Sequence, residues 1–258
     1  MKKIILEFTS IFIIIFMLFK YNIQIKNNLE LVLILFVKNV IFSLFPIIFI
    51  TNYIKYNILS KSNNKYIRFI SLIFSSAPSN AVIANNKELL YSSVINPLFS
   101  YSILSVYFSF KTTLVIIFTN LIFNYILLFK NISINNSINL ETKSITFIIK
   151  ETTYTIINIL GIIIFFNILI SLLSILINTK YLFFIEITNG FNIIFLIKNH
   201  IIKSLLLIFL NSFGGISISY QIKSINNDAN YLLIIRKFLL SIFITMLTLF
   251  IMLLTSYI

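Results

Sequence analysis

Residues 201–218 read IIKSLLLIFLNSFGGISI. The stretch is apolar enough to enter a bilayer, yet Asn211-Ser212-Phe213-Gly214-Gly215 interrupts it near its middle. Glycine reaches backbone conformations and close approaches that other residues resist. Backbone groups freed at membrane depth must be buried in protein or line a wet cavity. The stretch therefore predicts a helix that breaks inside the membrane, with Ser212, Gly214 and Gly215 at the break. Ser217 is the next hydroxyl beyond it.

The segment just upstream has the same character. Tyr181–Leu196 is short and apolar, and Glu186, Thr188, Asn189 and Gly190 are expected to break it. A charge at the bilayer centre costs about 3 kcal/mol on insertion scales, so a carboxylate there is functional by default. Glu186 suits three tasks: holding a proton, binding a cation, or holding a substrate amine or ribose hydroxyl. The plainer reading puts it near the interface, capping a helix or pairing with Lys180 or Lys198. In the first half, Phe69–Phe74 is too short to cross and runs into Ser75-Ser76-Ala77-Pro78-Ser79-Asn80-Ala81. Further on, Asn96-Pro97 interrupts Leu89–Phe108. Uncharged hydrogen-bonding groups beside helix breaks can hold a polar solute, which makes Pro78, Ser79, Asn80, Asn96, Asn189 and Ser212 candidates. Their plainer role is interhelical glue, at about 0.6 kcal/mol per contact.

Composition sets the frame. Of 258 residues, 59% are hydrophobic and only 10% charged, against about 25% charged in a soluble domain. The mean hydropathy is +1.02. These values exclude an ordinary soluble domain, a disordered chain and a coiled coil. The fold expected is an all-α polytopic membrane helix bundle with interrupted or re-entrant helices. Each span needs roughly 20 apolar residues, so the length allows about six to nine. The net charge of +13 comes from 20 basic and 7 acidic residues. They form no basic stripe, which argues against nucleic acid. Loop lysines that orient the chain explain the excess better. The absence of cysteine and the single histidine, His200, exclude disulfides, thiolate chemistry and a multi-histidine metal cluster.

The expected layout begins with residues 1–30, a signal-anchor span (Ile4–Phe19) and a loop. Lys2 and Lys3 precede the apolar run, and no small-residue cleavage site follows it. A second span covers Leu31–Ile54. The basic loop with Lys55, Lys61, Lys65 and Arg68 lies in the cytoplasm, which puts the N-terminus inside and Lys20–Glu30 outside. A plainer span follows at Thr112–Phe129. Residues 31–130 form one half and 145–258 a second, weakly similar half, divided by the polar loop Lys130–Lys143. Spans at Ile156–Ile177 and Leu232–Leu254 bracket the two broken segments. Paired interruptions in corresponding halves are the best sequence pointer to a midplane binding site. Lys38 and Lys150 snorkel to interfaces or act as counter-ions of Glu186. Arg236 and Lys237 anchor the last span, and His200 lies in a loop or at an interface.

Four pieces occur in order: Ala77-Pro78-Ser79-Asn80-Ala81, Asn96-Pro97-Leu98-Phe99, Glu186-Ile187-Thr188-Asn189-Gly190 and Ser212-Phe213-Gly214-Gly215-Ile216-Ser217-Ile218. Gln221 and Arg236 follow. Together they make the chain, over about residues 32–250, resemble the YlbJ-like family of sporulation integral membrane proteins in the nucleoside-recognition (Gate) superfamily. The resemblance implies a multi-pass inner-membrane protein of Firmicute-like bacteria, with two Gate-like halves and a link to sporulation. Gate domains recur in nucleoside transporters, so it also implies solute movement. The chain departs from the family pattern at Ser75-Ser76-Ala77, where a glycine is expected, and at Ile95, where a serine often precedes Asn-Pro.

Three function classes follow. The first is a secondary transporter- or channel-like protein for a small polar solute with a coupling ion; without a nucleotide-binding loop it does not hydrolyse ATP. The second is a non-transporting assembly or structural factor of a spore-envelope or other membrane complex. The third, an intramembrane enzyme, is least favoured, because no metalloprotease motif, cysteine nucleophile or paired serine and histidine is present. No cofactor, metal or nucleic acid is expected. The lipid bilayer is the certain partner, and oligomerisation is compatible with the sequence.

Overall fold

The computed structural model describes residues 15–59, 66, 77, 81, 95, 97–131, 141–226, 229 and 231–254. Pro78, Ser79, Asn80 and Asn96 lie outside them, as do Lys61, Lys65, Arg68 and most of the first span.

Among the described residues the chain is an all-α membrane bundle with no strand. The helices are α1 (Asn22–Leu35), α2 (Phe42–Tyr53), α3 (Pro97–Leu104), α4 (Phe110–Asn131), α5 (Ile145–Leu173), α6 (Ile187–Phe195), α7 (His200–Phe213), α8 (Gly215–Ile225) and α9 (Leu232–Leu254). Four helical stretches are long and apolar enough to cross a membrane: Phe42–Leu59, Ile145–Leu173, His200–Ile225 and Leu232–Leu254. At 1.5 Å per residue, α3 and α6 are far too short to cross.

The expected loop at Lys20–Glu30 is largely helical, because α1 begins at Asn22. The helical path then runs through two widened π-turn stretches, Phe36–Ile41 and Ile54–Leu59, on either side of α2. Such stretches are rare and frequently found at functional sites. Within α2, Pro46 has no N–H to donate.

This long first path lies antiparallel along α5. Asn28 Nδ2 donates to Ser171 Oγ at 3.0 Å, Asn52 Nδ2 to Thr152 Oγ1 at 3.2 Å, and Tyr56 OH to Glu151 Oε1 at 2.9 Å. Helix α5 starts eleven residues before the expected Ile156, where Ser144 Oγ caps it by accepting from Phe147 N at 3.3 Å. The last span matches its expected bounds. Its inward face is Leu233, Lys237, Ser241, Ile244, Thr245, Thr248 and Met252, a spacing of three and four residues that keeps one side of a helix against its neighbours. That face packs on α4 and α7.

The same periodicity corrects the assignment of Lys237 as an interfacial anchor. Arg236 is exposed, but Lys237, one helical step on, turns inward and is 2% exposed. Lys38 and Lys150 are exposed, as snorkelling side chains should be. His200 is exposed at the first position of α7, where Tyr107 OH lies 3.0 Å from its Nδ1.

Candidate functional site

The break at Gly214-Gly215 is real and lies at depth. The stretch His200–Ile225 is helical on both sides of it, with about 21 Å of helix before it at 1.5 Å per residue. Both glycines have φ of +80°. A side chain in that region costs about 1–2 kcal/mol per residue, so two in succession leave glycine as the natural choice. Space is also short: a Cβ on Gly215 would stand 3.2 Å from Ile185 O and 3.3 Å from Ile187 N.

Those neighbours belong to the second interruption, which differs from the expected one. Asn189 and Gly190 do not break the segment; they lie inside α6. The break is upstream, at Leu182–Glu186, and Glu186 has extended backbone angles of φ −134° and ψ 132°. Gly190 is needed for another reason. A Cβ there would collide with the Phe183 carbonyl oxygen and come within 2.7 Å of Leu210 Cδ2. The glycine lets α6 fold back against the turn Phe183–Ile185 that leads into it.

The two interruptions satisfy each other. The first N–H groups of a helix have no partner inside it. At the start of α8, Ile216 N donates to Phe184 O at 3.1 Å and Ser217 N to Ile185 O at 2.9 Å. The first half adds a third crossing segment. Ala77 and Ile95 form an isolated parallel bridge, and the Ile95 side chain stands 3.2 Å from where a Gly214 Cβ would be. Pro97 then opens α3, a position where its missing N–H costs nothing. Segments from both halves thus meet at one point, each beside a short helix that begins there: α3 after Ile95, α6 after Glu186.

Glu186 sits at this point and is fully buried. Its Oε2 caps α6, accepting from Asn189 N at 2.9 Å and from Thr188 Oγ1. A capping carboxylate also opposes the positive end of the helix. Asn189 Nδ2 donates to Asn167 Oδ1 on α5 at 3.2 Å, and Asn167 Nδ2 donates to Ile163 O at 2.8 Å. Asn167 stands beside the carboxyl group, but Oε1 has no hydrogen-bond partner. Glu186 makes no ion pair with Lys180, Lys198 or any other described residue. It is therefore a cap with a spare oxygen, buried inside the bundle.

A cavity of about 30 Å³ adjoins it, lined by Glu186, Thr188, Gln221 and nine apolar side chains that include Ala77, Ile95 and Phe99. That volume exceeds what a single water needs. A second cavity of about 140 Å³ shares Val40, Phe99 and Thr188 with the first and continues to Ser102, Val106 and Asn192. Val106 is 75% exposed, so this second space reaches the surface.

Other expected residues fall in less telling places. Ser212 Oγ donates back to Ile208 O at 3.1 Å, a bond within its own helix. Ser217 Oγ, Ser219 Oγ and both side-chain polar atoms of Asn211 are buried without partners close to the Gly214 break. Asn167 escaped the sequence reading, although a lone amide on the Ile159, Ile163, Phe166, Ile170 face of a span was a usable signal. Gln221 figured only as part of the ordered motif set. No family profile, characterised protein or solved structure matches the chain.

Proposed function

We propose that this is a multi-pass inner-membrane protein of the Gate type, with a cytoplasmic N-terminus, that moves a small polar solute by a secondary-transport or channel-like mechanism. The observation that carries the reading is the buried Glu186: half of it is built into a helix cap, and half is unpartnered at the point where interrupted segments of both halves meet. An intramembrane carboxylate without a structural ion-pair partner is expensive to keep. Interrupted helices at midplane are how membrane transporters place backbone and side-chain polar groups around a solute.

The geometry also says what must move. The cavities of about 30 and 140 Å³ fall below the roughly 300 Å³ of a pocket for a drug-sized ligand. A nucleoside-sized solute reaches Glu186 only if α3 and α6 separate at Phe99 and Thr188, which with Val40 are common to both cavities. A small solute needs less opening. The resemblance to sporulation membrane proteins supports a setting in spore formation.

One observation favours the alternative, a membrane assembly factor that transports nothing: the cavity beside Glu186 is small and mostly apolar. Purified protein in lipid vesicles separates the two readings. Screened against labelled nucleosides and other small polar solutes, the wild-type chain should give flux that Glu186→Gln abolishes while leaving expression intact. No flux for any solute, with partner capture lost on changing exposed loop residues, would establish the assembly role.

A further inference from the structure

We infer that the ion taken by Glu186 is a proton and not a metal cation. The inference rests on the transport site proposed above and specifies the ion it couples to.

The first argument is the count of ligands. Hard metal cations gather about six or more oxygens. Among the described residues twelve line the cavity beside Glu186, and of these only Glu186, Thr188 and Gln221 carry side-chain polar atoms. The Thr188 hydroxyl is already committed to Glu186 Oε2. A proton needs one oxygen, and Oε1 is buried and unpartnered.

The second argument is charge. An ionised carboxylate in a low-dielectric site needs a counter-charge. The elements packed around Glu186 carry Lys26 and Glu30 on α1, Lys180 in the preceding turn, and His200 and Lys203 on α7. Lys223 on α8, Lys150 and Glu151 on α5, Lys38 on the Phe36–Ile41 stretch whose Val40 lines the cavity, and Lys237 on α9 are further charge-bearing residues there. None of them lines the cavity, and none pairs with Glu186. Bonding a proton to Oε1 removes the charge and turns that oxygen into a donor.

The third argument is access. The larger cavity carries Ser102 and Asn192 and leads from the surface to Phe99 and Thr188, a route for water. A proton from that water bonds to a lone pair of Oε1, giving the neutral acid. Its loss to water on the other side restores the carboxylate.

Infrared difference spectroscopy of the full chain in lipid nanodiscs tests this without a known solute. The expected result is a protonated-carboxyl C=O band at neutral pH. Glu186→Gln should remove it, and exchanging sodium for potassium or choline should leave it unmoved. Should that variant fail to fold, Glu186→Asp keeps a carboxylic acid at the site and should shift the band in place of removing it. Carboxylate bands that move with sodium or potassium, or an acid band untouched by Glu186→Gln, would overturn the proton assignment. The flux assay is decided separately. An acid band without flux supports the proton site and removes transport; sodium-driven flux without the band does the reverse.

Discussion

Among the described residues one carboxyl and one amino side chain are buried in the bundle, and they teach opposite things. Glu186 and Lys237 are 0% and 2% exposed. Both have an unpartnered terminal atom. Glu186, however, lies where chain segments cross: its other oxygen holds a helix end, Asn189 and Asn167 brace that end, and a cavity adjoins it. Lys237 lies on the inner face of an unbroken helix, borders none of the cavities described above, and neighbours Phe238, which packs edge-to-face with Phe209 and Phe213. Burial of a charge is therefore not sufficient to mark a site. A site also needs a break in the surrounding helices, which supplies a path and backbone partners.

The contrast can be broken most directly at Glu186. Glu186→Gln keeps the shape and the cap acceptor, so folding should persist while vesicle flux falls to background. If Lys237→Met abolishes flux and Glu186→Gln does not, the two residues have exchanged roles. A second test strikes the crossing itself. Gly215→Val places a β-branched side chain at φ of +80° and against Ile185 O. Strain of about 1–2 kcal/mol from the backbone adds to the clash. The variant should lose about 3 kcal/mol or more, read as a lower melting temperature or lost expression.

Smaller effects sharpen the comparison. Asn167→Ala removes the acceptor of Asn189 Nδ2 and should cost about 1–3 kcal/mol, again in the melting temperature, with flux reduced but measurable. Asn167→Leu tests the same bond without leaving a gap. Lys237→Met replaces an unpartnered buried ammonium with an apolar chain of similar length. It should raise thermal stability by about 1 kcal/mol and leave flux unchanged. A loss of stability would show that Lys237 has a partner role of its own.

Several features were legible because few residue types satisfy them. The break at Gly214-Gly215 could be read because consecutive left-handed residues favour glycine so strongly. Glu186 stood out because a carboxylate amid Phe, Ile and Thr carries a known insertion cost. The end of the last span was legible because the run from Phe238 to Leu254 carries no charge. Other features depended on neighbours far along the chain. Gly190 looked like a helix breaker, but its role is to admit the Phe183 carbonyl. Lys237 looked like an anchor because its inward direction follows only from where α4 and α7 pack. Asn167 was one amide among many Asn residues until Asn189 was set opposite it.

The amino-acid order alone determined that this chain is an all-helical membrane bundle, since its apolar content leaves water no role as its main solvent. It also determined the break at Gly214-Gly215, because two left-handed residues in succession call for glycine's own covalent geometry. Only the tertiary structure decided which breaks meet and which buried polar groups share an environment. Those outcomes depend on residues up to 145 positions apart, and a through-space contact has no local signature in the chain.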